Sequence, residues 1–275
     1  MPRRSSASAM ASLLSIEGVS KDFQVRGRRI LALDSVTLAV EKGEFVTVVG
    51  PSGCGKSTLL NLIVGLLRPS AGCIRFRDRT INGINPEIGY VTQKDNLLPW
   101  RSLLANVEVA LEIRGVEPKE RKRRAGDLIH QVGLGGFEDH YPHELSGGMR
   151  QRANIIRTLI YDPQLILMDE PFGPLDAQTR IVLQDQLLRL WTAARKTIVF
   201  ITHDLVEAIA LADRVVLMSS RPGKVKCIAT VPIPRPRDVY QVHQHHAFGA
   251  TYERLWKELR PEVDLVETWK GGAPA

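Results

Sequence analysis

The chain has 275 residues, of which 44% are apolar and 24% charged, with a net charge of +7. These are ordinary globular values that call for a full hydrophobic core, in one large α/β domain or a core with a smaller subdomain. No apolar run approaches the ~20 residues needed to cross a bilayer as a helix. The opening stretch, MPRRSSASAMASLLS, has two arginines but no apolar h-region, which argues against a signal peptide. Residues 1–12 read as a disordered leader, with Met10 an alternative start. Cys54, Cys73 and Cys227 have no metal or redox spacing, so a reducing, cytoplasmic compartment is expected.

From residue 13 to 49 the chain alternates as short strands do: LLSIEGVSKDF, ILALDSVTLAV, then EFVTVVG. Turn signals at Gly27 and at Lys42 and Gly43 separate them. The first two runs alternate apolar with polar residues and suit half-buried antiparallel strands. The third is almost wholly apolar and suits a strand covered on both faces. After Gly50 the pattern becomes strand, turn, helix, the helix being TLLNLIVGLL. Residues 95–150 are helical and charged, without a strand-like run, and read as an inserted helical subdomain. Their basic stretch KERKRR, residues 119–124, is either a solvated helix face or a face for anionic lipid headgroups; no aromatic-rich nucleic-acid motif accompanies it.

Three later apolar runs, LILMDE, TIVFITHD and RVVLMSS, each end at polar residues and are separated by helical stretches. A parallel sheet with crossover helices is the natural solution. Ligands gather beyond the carboxyl ends of such strands, where Gly50, Asp169, Glu170 and His203 all fall. The segment from Val231, VPIPRPRDV and then a helix through YERLWKELR, reads as an appendage to that core. The resulting division is a core of residues 13–94 and 151–230, a helical subdomain of 95–150, and a tail of 231–275.

GPSGCGKST, comprising Gly50, Pro51, Ser52, Gly53, Cys54, Gly55, Lys56, Ser57 and Thr58, fits the P-loop pattern without mismatch. Its glycines let backbone N–H groups turn inward around phosphate oxygens, and the following helix presents its positive end. Lys56 is expected to reach the β- and γ-phosphates of ATP, and Ser57 to ligate Mg²⁺. Ser146, Gly147 and Gly148 of LSGGMRQRANIIRTLI stand at a helix start, where free N–H groups and the helix dipole suit a phosphate.

A P-loop, then LSGG, then the acidic strand end LILMDE resembles, in that order, the ATP-binding cassette (ABC) ATPases. The resemblance runs through nearly the whole chain. It implies an α/β fold: a P-loop NTPase (RecA-like) core with an N-terminal antiparallel β subdomain and an inserted helical subdomain. It also implies roles. Asp169 holds Mg²⁺, and Glu170 orients and deprotonates the attacking water. His203 contacts the γ-phosphate and that water, against its alternative as a structural residue of a strand end. Gln93, in YVTQKDNLLPW, contacts Mg²⁺ or water and reports to a membrane partner, unless it merely faces solvent. Phe23, in VSKDF, stacks on adenine, with a core phenylalanine as its rival.

In this family each ATP lies between one subunit's P-loop and the other's LSGG, so a homodimer is expected, with Asp176 of FGPLD lining the same interface. The chain departs from the family pattern at Met149 and at Gly173 and Pro174. NLLPWRSLLANV, MSSRPGKV and the tail PIPRPRD with YERLW resemble the importer ATPases of the nitrate, sulfonate and taurine group. That resemblance implies two transmembrane permease subunits, indirectly a periplasmic solute-binding protein, a place on the cytoplasmic face of the inner membrane, and no nucleic acid. Pro99 and Trp100 lie where a permease's coupling helix docks in the family, Trp100 being either that anchor or a core residue. The rival reading is a soluble ABC-type ATPase acting on nucleic acid or ribosomes; such proteins carry two cassettes or a coiled-coil insertion. A P-loop kinase would leave LSGG and His203 unexplained.

Overall fold

The computed structural model describes residues 12–271. The leader expected at residues 1–12 therefore lies, apart from Ser12, outside the described residues.

Two sheets organise the chain. The first is antiparallel, with strand order β2-β1-β4-β5, and consists of β1 (Leu14–Val25), β2 (Arg28–Val40), β4 (Ala71–Phe76) and β5 (Arg79–Thr80). The second has the order β10-β9-β3-β8-β7-β6. Its members are β3 (Phe45–Val49), β6 (Ile88–Val91), β7 (Leu165–Asp169), β8 (Thr197–Thr202), β9 (Arg214–Met218) and β10 (Val225–Thr230). All neighbours in it are parallel except β10, which runs antiparallel to β9. The helices are α1 (Lys56–Ile63), α2 (Leu103–Ile113), α3 (Pro118–Gln131), α4 (Gly147–Leu159), α5 (Ala177–Ala194), α6 (Leu205–Leu211) and α7 (His246–Gly271). None of them is long and apolar enough to cross a membrane.

The central strands read as continuous apolar runs because both faces are covered. In β8, Ile198 and Phe200 enter a core layer with α5 and α6, while Val199 and Ile201 enter the layer shared with the antiparallel sheet and α1. β7 divides the same way, Ile166 and Met168 to one side, Leu165 and Leu167 to the other. This is the period of two expected of a strand. The parallel sheet and the antiparallel β subdomain are thus as the sequence led one to expect. Strands β4, β5, β6 and β10 were not anticipated; they are short, with few apolar residues in a row, and three of them lie at sheet edges.

A third apolar cluster joins α2, α3 and α4 through Leu103, Val107, Ile129, Ala153 and Ile156. Ile155 on the opposite side of α4 enters the main core. Residue 150, the expected subdomain boundary, therefore falls inside a helix that serves both bodies.

The tail departs from its expectation as an appendage. Val231, Ile233, Val239, Val242, Phe248, Leu255 and Leu259 are all buried in the main core layer. Arg237 donates to the carbonyls of Ala212 at 2.6 Å and Ile209 at 3.1 Å, and Arg235 donates to that of Leu211 at 2.6 Å. These are the carbonyls that the last turn of α6 leaves without intrahelical partners. The arginines of PIPRPRD are helix caps brought from a distant part of the chain.

Candidate active site

The P-loop connects β3 to α1 at the carboxyl end of the parallel sheet. Gly55 is the N-cap of α1 with φ 101°, a left-handed conformation, and a Cβ there would stand 2.7 Å from Leu33 Cδ2. Only glycine fits. No side chain caps α1 and its first turn holds no acidic residue, so its free N–H groups are available to an anion. Lys56 is 6% exposed and donates to the carbonyls of Gly50 at 2.8 Å and Pro51 at 2.9 Å.

A cleft of about 440 Å³ opens beside this loop. Ser52, Gly53, Gly55, Lys56, Ser57 and Thr58 form one wall, and Phe23, Val25, Ile30 and Ala32 from the first two strands form an apolar wall. Phe23 is half-buried and lines this cleft, with Lys21 Nζ 5.3 Å from its ring centroid, so it is not a core phenylalanine. Gln93 and Glu170 also line the cleft. Cys54 faces away, buried at 1% exposure, and burial pushes its thiol up, which leaves it unreactive.

Asp169 ends β7. Ser57 Oγ donates to its Oδ1 at 3.1 Å, and Tyr90 OH approaches Oδ2 at 3.5 Å. Burial raises the Asp169 carboxyl above the usual range, and the neighbouring charge of Glu170 adds to this, against the opposing bond from Ser57. Such a carboxylate gains from a cation. Ser57, Asp169 and Gln93 offer the hard oxygen donors that Mg²⁺ takes alongside phosphate and water, so the residues fit that ion. Glu170 follows with φ 43°, an uncommon conformation for a side-chain-bearing residue that stores roughly 1–3 kcal/mol of strain. His203 Nδ1 lies 3.1 Å from Glu170 Oε2. His203 does not line the cleft itself; it stands behind Glu170, beyond the end of β8.

Ser146 caps α4, its Oγ accepting from Met149 N at 3.3 Å. Gly148 packs on α5, where a Cβ would come within 2.8 Å of Thr179 Cγ2. Asp176 caps α5 by accepting from Gln178 N and Thr179 N at 3.1 and 3.0 Å. None of Ser146, Gly147, Gly148 and Asp176 lines the cleft that contains Lys56.

Sequence reasoning missed several parts. Tyr90, on β6 three residues before Gln93, bonds to Asp169 and carries no motif of its own. Arg150, Asn154 and Arg157 of α4 bond to Asp95, Thr92 and Asn96 on either side of Gln93, which ties that segment to the helix that LSGG opens. Arg221 completes the cleft from the turn between β9 and β10. Its signal was a proline–glycine turn at a strand's carboxyl end, where ligands gather. Trp100 is 70% exposed, which removes it from the core, whereas Leu97 at 8% belongs inside the helical cluster. The arginines of the basic run on α3 are paired: Glu120 of the same helix holds Arg123 and Arg124, and Glu108 of α2 holds Arg121.

Residues 33–173 match the model of the ABC transporter family. The chain belongs to that family. It is 48% identical over 225 residues to an uncharacterized ABC transporter ATP-binding protein of Methanocaldococcus jannaschii, covering 82% of this chain and 84% of that one. It is 46% identical over 213 residues to the taurine import ATP-binding protein TauB of Yersinia pseudotuberculosis, covering 78% and 82%. With the aliphatic sulfonates import ATP-binding protein SsuB of Bacillus cereus the identity is 42% over 224 residues, covering 82% and 88%. A solved dimeric ATP-binding cassette, in a post-hydrolysis state with ADP and Pi, superposes with TM-score 0.72 at 32% identity, covering 80% of this chain and all of that one. The molecule is thus an ABC ATPase, an ATP-binding subunit with the cassette fold, and the cleft beside Lys56 is where its nucleotide site must be sought.

Proposed function

We propose that this ABC ATPase is the energy-coupling subunit of an importer for a small solute of the aliphatic sulfonate, taurine or nitrate type. Relatives named for taurine and sulfonate import support that solute class. The observation that carries the coupling role is Trp100, 70% exposed, in the segment that follows Gln93. A large exposed ring beside a proline is an interface anchor, here a few residues from the cleft. The permease's cytoplasmic helix would dock there and sense the nucleotide through Gln93 and the α4 arginines that hold its loop.

In the proposed cycle, adenine stacks on Phe23, an interaction worth about 1–3 kcal/mol. Lys56 leaves its two carbonyl partners for the β- and γ-phosphates. Ser57, Asp169 and Gln93 would hold Mg²⁺, which when bound neutralises phosphate charge. Glu170 orients the attacking water and takes its proton, while His203, held by its contact with Glu170, reaches the γ-phosphate. The free N–H groups at Ser146, Gly147 and Gly148 grip the γ-phosphate of a second copy of the chain, so two copies enclose two nucleotides, with Asp176 at their interface. Closure drives the two permease subunits at the cytoplasmic face of the membrane, and hydrolysis reopens the pair.

Trp100→Ala tests the coupling role. Because the ring is exposed, its removal should leave the melting temperature and basal ATPase within error while abolishing pull-down of the permease subunits. Retained pull-down would move the docking surface elsewhere. Deletion of the gene followed by growth on taurine, an alkanesulfonate or nitrate as sole source assigns the solute.

A further inference from the structure

The turn at residues 219–223 is fastened on three sides. Against β2, Gly223 N donates to Ala32 O at 2.9 Å, and Asp34 N donates to Gly223 O at 3.0 Å. Against the P-loop, Gly223 lies so close that a Cβ there would stand 2.0 Å from the Cys54 carbonyl oxygen. Against the C-terminal helix α7, Ser220 donates through both N and Oγ to Glu262 Oε2, at 2.8 and 2.9 Å. Lys226 Nζ holds the other oxygen of Glu262 at 2.9 Å.

From this clamped turn Arg221 lines the cleft, between the apolar wall that includes Ala32 and the P-loop. Its guanidinium has no hydrogen bond or ion pair among the described residues, whereas the cleft's other cation, Lys56, is bonded to two carbonyls. A planar fork of donors with no protein partner, placed between a base-binding wall and a phosphate loop, matches phosphate and ribose oxygens.

We propose that Arg221 holds the ribose and α-phosphate portion of the nucleotide, and that α7 sets its position through Glu262. Arg221 is then a nucleotide-contacting residue and Glu262 a positioning residue, which gives the tail a part in the ATPase. The proposal rests on the cleft being the ATP site.

The experiment is a titration of full-length protein and variants with fluorescent ATP and ADP analogues. Lys56→Ala is the control for the site itself: it should lose affinity for ATP more than for ADP, and unchanged binding of both would overturn the site rather than the role of Arg221. Arg221→Ala should weaken ATP and ADP by the same factor, about tenfold, the scale of one lost charge-assisted hydrogen bond. Arg221→Lys should recover part of that loss. Glu262→Ala should weaken both nucleotides several-fold in the wild-type background and add nothing in the Arg221→Ala background, because its effect passes through the arginine. Glu262→Gln, which keeps a hydrogen-bond acceptor for Ser220, should lie between and serves if the alanine variant does not fold. Wild-type affinity in Arg221→Ala, or a loss confined to ATP, overturns the placement of Arg221. Additive losses in the double variant assign Glu262 a purely structural role and overturn the link to α7.

Discussion

Glu170 combines a left-handed φ with a histidine contact and a place on the cleft wall. Strain at such a position belongs with a side chain that must point one way. Glu170→Gln keeps the shape and removes the proposed base, so turnover should fall by about 10²- to 10⁴-fold while ATP affinity stays at the wild-type level. Gel filtration with Mg-ATP should then show a persistent dimer; a variant that still hydrolyses near the wild-type rate would remove Glu170 from this role. Gly223 makes a different demand. It has no room for a methyl group against the Cys54 carbonyl, and both sides of that contact are backbone. Gly223→Ala should cost about 3 kcal/mol by overpacking and lower nucleotide affinity, because the P-loop must shift to relieve it. A melting temperature equal to wild type would overturn the overpacking.

Among the elements, α6 and α7 owe their placement to buried charge. Burial, with Arg235 alongside, pushes the Arg237 guanidinium down to about 10, so it stays charged at neutral pH and needs all of its carbonyl partners. Arg237→Met should cost about 2–4 kcal/mol by leaving the end of α6 unsatisfied, as read by chemical denaturation. Glu262 behaves oppositely. Burial would raise its carboxyl, but bonds from Lys226 and Ser220 overcome this and hold it below the ordinary glutamate range. A depressed carboxyl stabilises fully above the unfolded value of about 4.3 and loses that contribution as pH falls through the folded value. The melting-temperature gap between wild type and Glu262→Gln should therefore be constant from pH 7 to about 5.5 and close only below about pH 4. A gap that closes between pH 7 and 6 would point to a different titrating group.

At the scale of the whole molecule, the proposed phosphate grip is divided. Lys56 lies in the cleft, but Ser146 and the start of α4 face elsewhere, their N–H groups unused by the chain's own site. Mixing Lys56→Ala chains with Ser146→Arg chains yields heterodimers with one doubly defective site and one intact. ATP-dependent closure should reappear in the mixture while each variant alone stays open. Wild-type turnover that is independent of protein concentration would refute the shared site.

Much of this was legible in sequence because its causes are local. Strands covered on both faces must read as apolar runs, so β3, β7, β8 and β9 announced themselves. A loop that wraps phosphate must carry glycines before a lysine and a hydroxyl, and the helix start at Ser146 shows in the sequence, whereas the cap made by Asp176 does not. Family resemblance then brought Phe23, Gln93 and Glu170 to one expected site, and the fold places all three on one cleft.

The tertiary structure decided what depends on contacts between distant segments. Periodicity could not tell that Leu97 is buried and Trp100 exposed, since both are large apolar residues in one short run. It could not turn a polar, arginine-rich tail into part of the core, because the carbonyls that Arg235 and Arg237 satisfy belong to another helix. Nor could it find that Arg221 stands on the cleft or that its neighbour Ser220 bonds to Glu262, because the two ends of that contact come from distant segments of the chain. Local chemistry wrote the motifs; close packing of chain segments far apart in sequence chose which side chains stand around them.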